Sequence, residues 1–168
     1  MEIFRELLSH NRAPGRIEWI GIAESSRSPI VPKDTISIVH GGIEGDHHCR
    51  PARQSKRQVT LIQAEHLPVI ACLLGKSSLD PSCLRRNIVV AGINLAALRY
   101  QIFRIGMAVL RGTGTCPPCS RMEENLGPGG YVAMLNHGGI TATVESEGHV
   151  AIGDTVVALG PHLDEINS

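Results

Sequence analysis

Lysine and aromatic residues are scarce in this chain, and an apolar leader is missing. Only Lys33, Lys56 and Lys76 stand against thirteen arginines, and one Trp, two Tyr and two Phe are the only aromatic residues among 168. Sixteen cationic and sixteen anionic side chains cancel, which excludes a generally basic nucleic-acid binder, while a 42% hydrophobic share excludes a disordered polyelectrolyte. Met1 to His10 carries charges throughout, with no apolar core or small-residue cleavage site, so no secretory leader is expected. No apolar run reaches the roughly 18 residues that a membrane span needs. Five cysteines, an odd number without an export signal, read as thiols rather than as a disulfide framework. The expected setting is cytoplasmic, with neither nucleic acid nor membrane as partner.

What the chain does have is glycine, 18 residues, and short β-rich runs bounded by Gly, Pro or Asp. The length suits one domain with its own core. Strands are expected over Arg16–Ile22, Thr35–Val39, Arg57–Ile62, Asn87–Ala91, Ile102–Gly112, Ile140–Glu145 and Thr155–Leu159. Seven strands predict a mainly β fold, a sandwich or a closed or partly closed barrel. Helical exceptions are a short N-terminal segment stopped at Ala13-Pro14-Gly15, Ala64–Leu74 with Gly75 as its stop, and a turn capped by Asp80 with Pro81 at its first position. Phe103-Arg-Ile-Gly-Met-Ala-Val109 and Val150-Ala-Ile-Gly-Asp-Thr-Val156 echo one another, and the shared glycine suggests a bulge or barrel corner. The expected organisation is an N-terminal extension over 1–15, a β domain over 16–160 and a tail over 161–168.

The strongest local signal is Cys116-Pro-Pro-Cys119-Ser-Arg-Met-Glu123. Ser120 and Glu123 have capping-box spacing, which predicts a helix from Arg121 to about Gly127. Cys119 then immediately precedes a helix N-terminus, where unpaired backbone donors, the dipole and Arg121 favour a thiolate able to serve as metal ligand or nucleophile. Three other readings stand beside a functional Cys119. A thioredoxin-like dithiol expects a βαβ setting that this β-rich chain does not suggest. A structural zinc site needs two more ligands, which His47, His48 and Cys49 could offer. A buried structural cysteine pair is the third.

A second cluster, Gly45-Asp46-His47-His48-Cys49-Arg50 with Arg53, Lys56 and Arg57, forms a local cationic patch suited to an anion, or a solvated loop of an Arg-rich protein. Arg85-Arg86-Asn87 precedes the apolar run Ile88–Ala91, where arginine can grip phosphate and asparagine can bond a heterocycle. Gly127-Pro-Gly-Gly130 and His137-Gly-Gly139 permit close approach near the cysteines but lack the Lys and Ser/Thr of a phosphate loop.

Taken in order, Gly45-Asp-His-His48, Gln58-Val-Thr-Leu-Ile62, Leu84-Arg-Arg-Asn-Ile-Val-Val90 with Gly92, Phe103-Arg-Ile-Gly106, Pro118-Cys119 and Ile152-Gly-Asp154 resemble the MOSC domain, named for the C-terminal part of molybdenum cofactor sulfurases. The likeness runs from about Arg16 to Leu159 and is to the small stand-alone bacterial type. It implies a β-barrel that binds a molybdenum pyranopterin cofactor and reduces N-hydroxylated compounds such as hydroxylaminopurines or amidoximes. Cys119 takes the place of the molybdenum ligand and catalytic cysteine. Arg85 and Asn87 take the place of contacts to the pterin or its phosphate, and Arg86, Arg121, His47 and Arg50 are expected to complete the cofactor cradle. No aminotransferase-like, ferredoxin or flavin domain is fused, so pyridoxal phosphate is not expected in this chain and electrons must come from a redox partner protein. The alternative is a carrier without turnover, with Cys119 holding persulfide sulfur from a cysteine desulfurase, or with the domain delivering cofactor to other enzymes.

Overall fold

Isoleucines and valines at every second position make the barrel strands, and the side toward which they point decides the architecture. In this computed structural model, which describes residues 2–162, β1 (Gly15–Ile22) buries Ile17 and Ile20 completely. After the short β2 (Val31–Pro32) come β3 (Thr35–Val39) and β4 (Gly42–Ile43), then β5 (Val59–Gln63), β6 (Ile88–Ala91), β7 (Gln101–Ile105), β8 (Ala108–Thr115), β9 (Ile140–Ser146), β10 (Gly148–Ala151) and β11 (Thr155–Pro161). The hydrogen-bonded order β1-β11-β7-β8-β9-β5-β6 returns to β1 and closes a seven-stranded barrel, with β2 paired to the end of β1. A separate sheet of β10, β3 and β4 contributes Ile36, Ile38, Ile43 and Val150 to the same core.

One wall is buried on both faces. β5 and β6 run parallel, joined through the helix α2 (His66–Leu73), and form a βαβ unit. Leu61, Ile88 and Val90 point into the barrel, while their neighbours Ile62 and Val89 pack outside against Ile70 of α2, Met122 and Leu126 of α4 (Ser120–Leu126), and Met134 of α5 (Gly130–Met134). Such two-sided burial explains why these strands read as unbroken apolar runs.

Several local expectations change. The run Ile102–Gly112 is a hairpin: Ile105 pairs with Ala108 across a turn in which Gly106 has φ 53°. A Cβ on Gly106 would lie 2.6 Å from Asp154 Oδ2, so the two echoed glycines mark turns that pack together rather than bulges. The strand expected from Arg57 begins at Val59. Helix α4 starts at Ser120 with Cys119 as its N-cap, and no side chain caps it. Glu123 instead reaches forward, accepting from the N–H groups of Gly129 and Tyr131 at 2.8 Å each, and these bonds hold its carboxyl below the ordinary range. The capping box is therefore replaced by a clip that shapes the Pro128–Gly130 bend. Helix α3 (Leu95–Leu98), α5 and β10 were not legible, being four or five residues long and dictated by tertiary partners. At the N-terminus, α1 (Glu2–Ser9) covers the expected extension, and Gln101 Nε2 donates to Leu8 O at 2.7 Å. The barrel starts at Gly15 and ends at Pro161, His162 follows with its N–H donating to Tyr100 O, and residues 163–168 of the expected tail lie outside the described residues.

Candidate cofactor and active site

Strand register and the arginine side chains that reach across it bring the candidate residues together at one rim. Ile20 of β1 pairs with Ile88 of β6, Ile88 with Leu61 of β5, Leu61 with Ile140 of β9, and Ile140 with Thr115 of β8. One step to one side of that row stand Gly21, Asn87 and Thr60, and one step to the other stand Gly139 and Cys116, which the Arg86 side chain reaches through Gly138 O and Cys116 O.

Asn87 is the knot of this rim. It is buried, its Nδ2 donates to Gly21 O and to Asp46 Oδ1 at 3.2 Å each, and its Oδ1 accepts from the Thr60 N–H at 3.1 Å and hydroxyl at 3.0 Å. Asp46 is buried as well. Its Oδ1 also accepts from Ala23 N at 3.0 Å, and its Oδ2 from His48 N at 3.0 Å and His48 Nδ1 at 3.2 Å. Burial pushes the Asp46 carboxyl up, but these hydrogen bonds, that of the His48 side chain first, outweigh it and leave the group below its ordinary value.

His47, half-buried, faces Ala23 O through Nδ1 at 3.1 Å. That carbonyl can only accept, so Nδ1 carries the proton and Nε2 has no hydrogen-bond partner among the described residues. Burial, then the charges of His48 and Arg85, depress its pKa against the opposing pull of the Ala23 carbonyl and Asp46. Asp46, His47 and His48 offer ligand atoms within 4.8 Å of one another, the one such group among the described residues. Cys116 and Cys119 are not in it, so the four-ligand zinc set weighed from the sequence is not assembled. All five cysteines are free thiols.

The arginines divide into two kinds. Arg86 is 2% exposed and donates through Nε to Gly138 O at 2.8 Å, Nη1 to Leu84 O at 3.0 Å, and Nη2 to Cys116 O at 3.2 Å and Pro117 O at 3.5 Å. It ties β6 to the cysteine loop. Arg57 adds a donor at 3.0 Å from the buried Cys116 sulfur. Arg85 is half-exposed, and its backbone has φ 54°, which aims its side chain over the loop after β1. There its guanidinium donates to Ser28 O at 2.8 Å, Ser26 O at 3.1 Å and Ser25 O at 3.5 Å. Arg121, in the first turn of α4, donates to the same Ser26 carbonyl. Burial first, then Arg121, lowers the Arg85 pKa, while Asp46 and Cys119 oppose, so Arg85 lies within the fields of both halves of the rim. Arg50 is exposed at the edge, with Nε 3.4 Å from His47 O.

Cys119 itself is exposed at the N-terminus of α4 and follows Pro117-Pro118, which leaves its loop little freedom. The rim therefore gathers an accessible thiol, two guanidinium groups and an imidazole, held by a buried frame of Asp46, Asn87, Thr60 and Arg86. The frame residues Asp46 and Thr60 and the serine carbonyls at 25–28 were not expected as part of the site. A carbonyl acceptor belongs to every residue type, so no sequence signal marks that loop. Asp46, between a glycine and paired histidines, was the one visible clue.

The family model for the MOSC domain matches residues 38–157. The chain belongs to the MOSC domain family. Among solved structures, the YuaD protein from Bacillus subtilis is similar with TM-score 0.75 and 23% identity over 86% of this chain and 94% of that one. YiiM from Escherichia coli (TM-score 0.65, 18% identity, 89% of this chain and 72% of that one) shares the fold. So does YiiM from Geobacillus stearothermophilus (TM-score 0.67, 17% identity, 87% and 75%). No curated protein matches the chain. No helix among the described residues is long and apolar enough to cross a membrane.

Proposed function

We propose that this protein holds a molybdenum pyranopterin cofactor through Cys119 and reduces small N-hydroxylated molecules of the hydroxylaminopurine or amidoxime class. The observation that carries the reading is an exposed cysteine at a helix N-terminus on the rim where Arg85 and Arg121 meet on one carbonyl. The donor set fits the group: sulfur is a soft ligand suited to such a metal, and guanidinium forks match a phosphate. Of the five N–H donors of a guanidinium, Arg121 engages one with Ser26, which leaves others for an anion. His47 Nε2 can accept or deliver a proton beside that anion. Asn87, with both amide hydrogens bonded, and Arg86, with four hydrogen bonds to backbone carbonyls, act by holding the rim in place. The bound cofactor would supply the two-electron chemistry, while the chain supplies orientation and charge. Electrons then arrive from a redox partner protein in the cytoplasm, and a cysteine desulfurase is the corresponding partner if Cys119 carries sulfur.

Purification from cells that make the cofactor, with molybdenum and pterin measured per chain, tests the reading. Near-stoichiometric metal in wild type and its loss in Cys119→Ala are expected, followed by turnover of hydroxylaminopurine with an artificial reductant. Metal absent from both proteins, with persulfide on Cys119 by mass spectrometry, would overturn the reductase in favour of sulfur carriage.

A further inference from the structure

A partly open cavity of about 250 Å³ lies between α3, the end of β5 and the segment that leads into β9. Cys119 does not line it, nor the adjoining cavity of about 130 Å³ that shares Thr115, Asn136 and Gly139. Arg99 lines the larger one, and its Nε is buried without a hydrogen-bond partner. Among the described residues no carboxylate pairs with it. Its guanidinium carbon sits 4.5 Å from the Tyr100 ring centroid, a contact that orients the group but does not satisfy its N–H donors.

Three further polar side chains in the wall, His66, Thr115 and Asn136, make no hydrogen bond among the described residues. His66 meets only the His137 ring, edge-on at 5.1 Å, and Asn136 is held at φ 63°, a conformation that costs a non-glycine residue some strain. Gln63, by contrast, is fixed by Glu65, Ile93 and Leu95 at 2.6 to 2.9 Å and serves as wall. Leu95, Ala96 and Ile140 add apolar lining, the first two on the same helix face as Arg99. Burial, then the neighbouring His137, lowers the pKa of His66, so Arg99 is the one permanent positive charge.

We propose that this cavity binds a small organic monoanion, a carboxylate whose head pairs with Arg99, His66 and Asn136 and whose apolar tail lies against Leu95 and Ile140. One cation matches a monoanion better than a phosphate dianion, and the apolar wall asks for a hydrocarbon tail that inorganic ions lack. The site does not depend on molybdenum, and its test uses the protein without cofactor.

Butyrate, its neutral isostere butyramide and inorganic phosphate are titrated into the protein while His66 and His137 ring resonances and heats of binding are followed. Butyrate should saturate, shift the His66 ring, and bind at least about tenfold more tightly than either of the others. Arg99→Gln should lose that preference, and Cys119→Ala should keep it. Equal affinity for butyramide, tighter binding of phosphate, or no saturable shift in the wild type would overturn the proposal. The wild-type comparison decides even if Arg99→Gln does not fold.

Discussion

Arg85 and Arg121 donate to the same carbonyl oxygen, that of Ser26, although one follows a 3-10 turn before β6 and the other opens α4. Two like charges on one acceptor repel, and Arg121 helps depress the Arg85 pKa. An anion between them would relieve that repulsion. Arg85→Ala and Arg121→Ala should therefore each cut molybdenum and pterin content severely, while the half-exposed Arg121 costs under about 1 kcal/mol of folding stability when removed. Unfolding and metal analysis of the same preparations check this. Lost stability with full cofactor would assign the pair a structural role.

Asn87 offers a sharper test of the frame. Asn87→Ala leaves Asp46, Gly21 and Thr60 without their buried partner and should cost about 2–4 kcal/mol in urea unfolding. Asn87→Asp sets a second carboxylate against Asp46 Oδ1 and should be worse at pH 7 than the alanine variant. The gap should narrow in acid as the pair gains a shared proton. A pH-independent difference would contradict this account.

Arg86 closes the cysteine loop over the barrel rim. Arg86→Met keeps bulk but abandons four carbonyls, of Gly138, Leu84, Cys116 and Pro117. About 3 kcal/mol should be lost, within the range for breaking a buried polar network. Native-state alkylation gives an independent readout. In wild type iodoacetamide should label the exposed Cys72 and Cys119 while sparing Cys116, which is 1% exposed, and the variant should open Cys116 to the reagent. Unchanged protection of Cys116 would show that the loop is held by other contacts.

Acid should destabilise the protein in two stages. Native His47 and His66 have pKa values below the ordinary 6.5, so as pH falls through that value the unfolded chain binds protons that the native state does not. Asp46, also depressed, contributes stability that is present above 3.8 and is lost as pH falls through its native value. The signs agree. Urea midpoints should drop from pH 7 to pH 5, and His47→Gln and His66→Gln should each flatten that slope. A midpoint that rises toward pH 5 would refute the assignment.

Much of the architecture was legible because apolar alternation is local. β1, β3, β6 and β9 fall within a residue or two of expectation, and Asp80 caps its turn at 2.9 Å from Ser82 N. Gly75, at φ 67°, ends α2 as its type suggests. The hairpin inside Ile102–Gly112 was hidden because Gly106 interrupts an otherwise continuous pattern. The βαβ unit was hidden because parallel pairing of β5 and β6 depends on a crossover whose ends meet only in space.

The same division holds for the site. The sequence by itself determined which side chains could do chemistry: one cysteine after two prolines at a helix start, a surplus of arginine beside it, and the ordered motifs of the MOSC domain. It also determined the barrel class, since strand periodicity is written residue by residue. Only the tertiary structure decided how the arginines divide, with Arg86 enclosed by carbonyls while Arg85 and Arg121 converge at the rim. Hydrogen-bond partners distant in the chain set that division, and a residue's type says how many donors it has but not where the acceptors will stand. The arginine surplus thus became three distinct things: a buried tie at Arg86, a pair at Arg85 and Arg121 that meets on one carbonyl and, at Arg99, a guanidinium whose Nε finds no acceptor among the described residues.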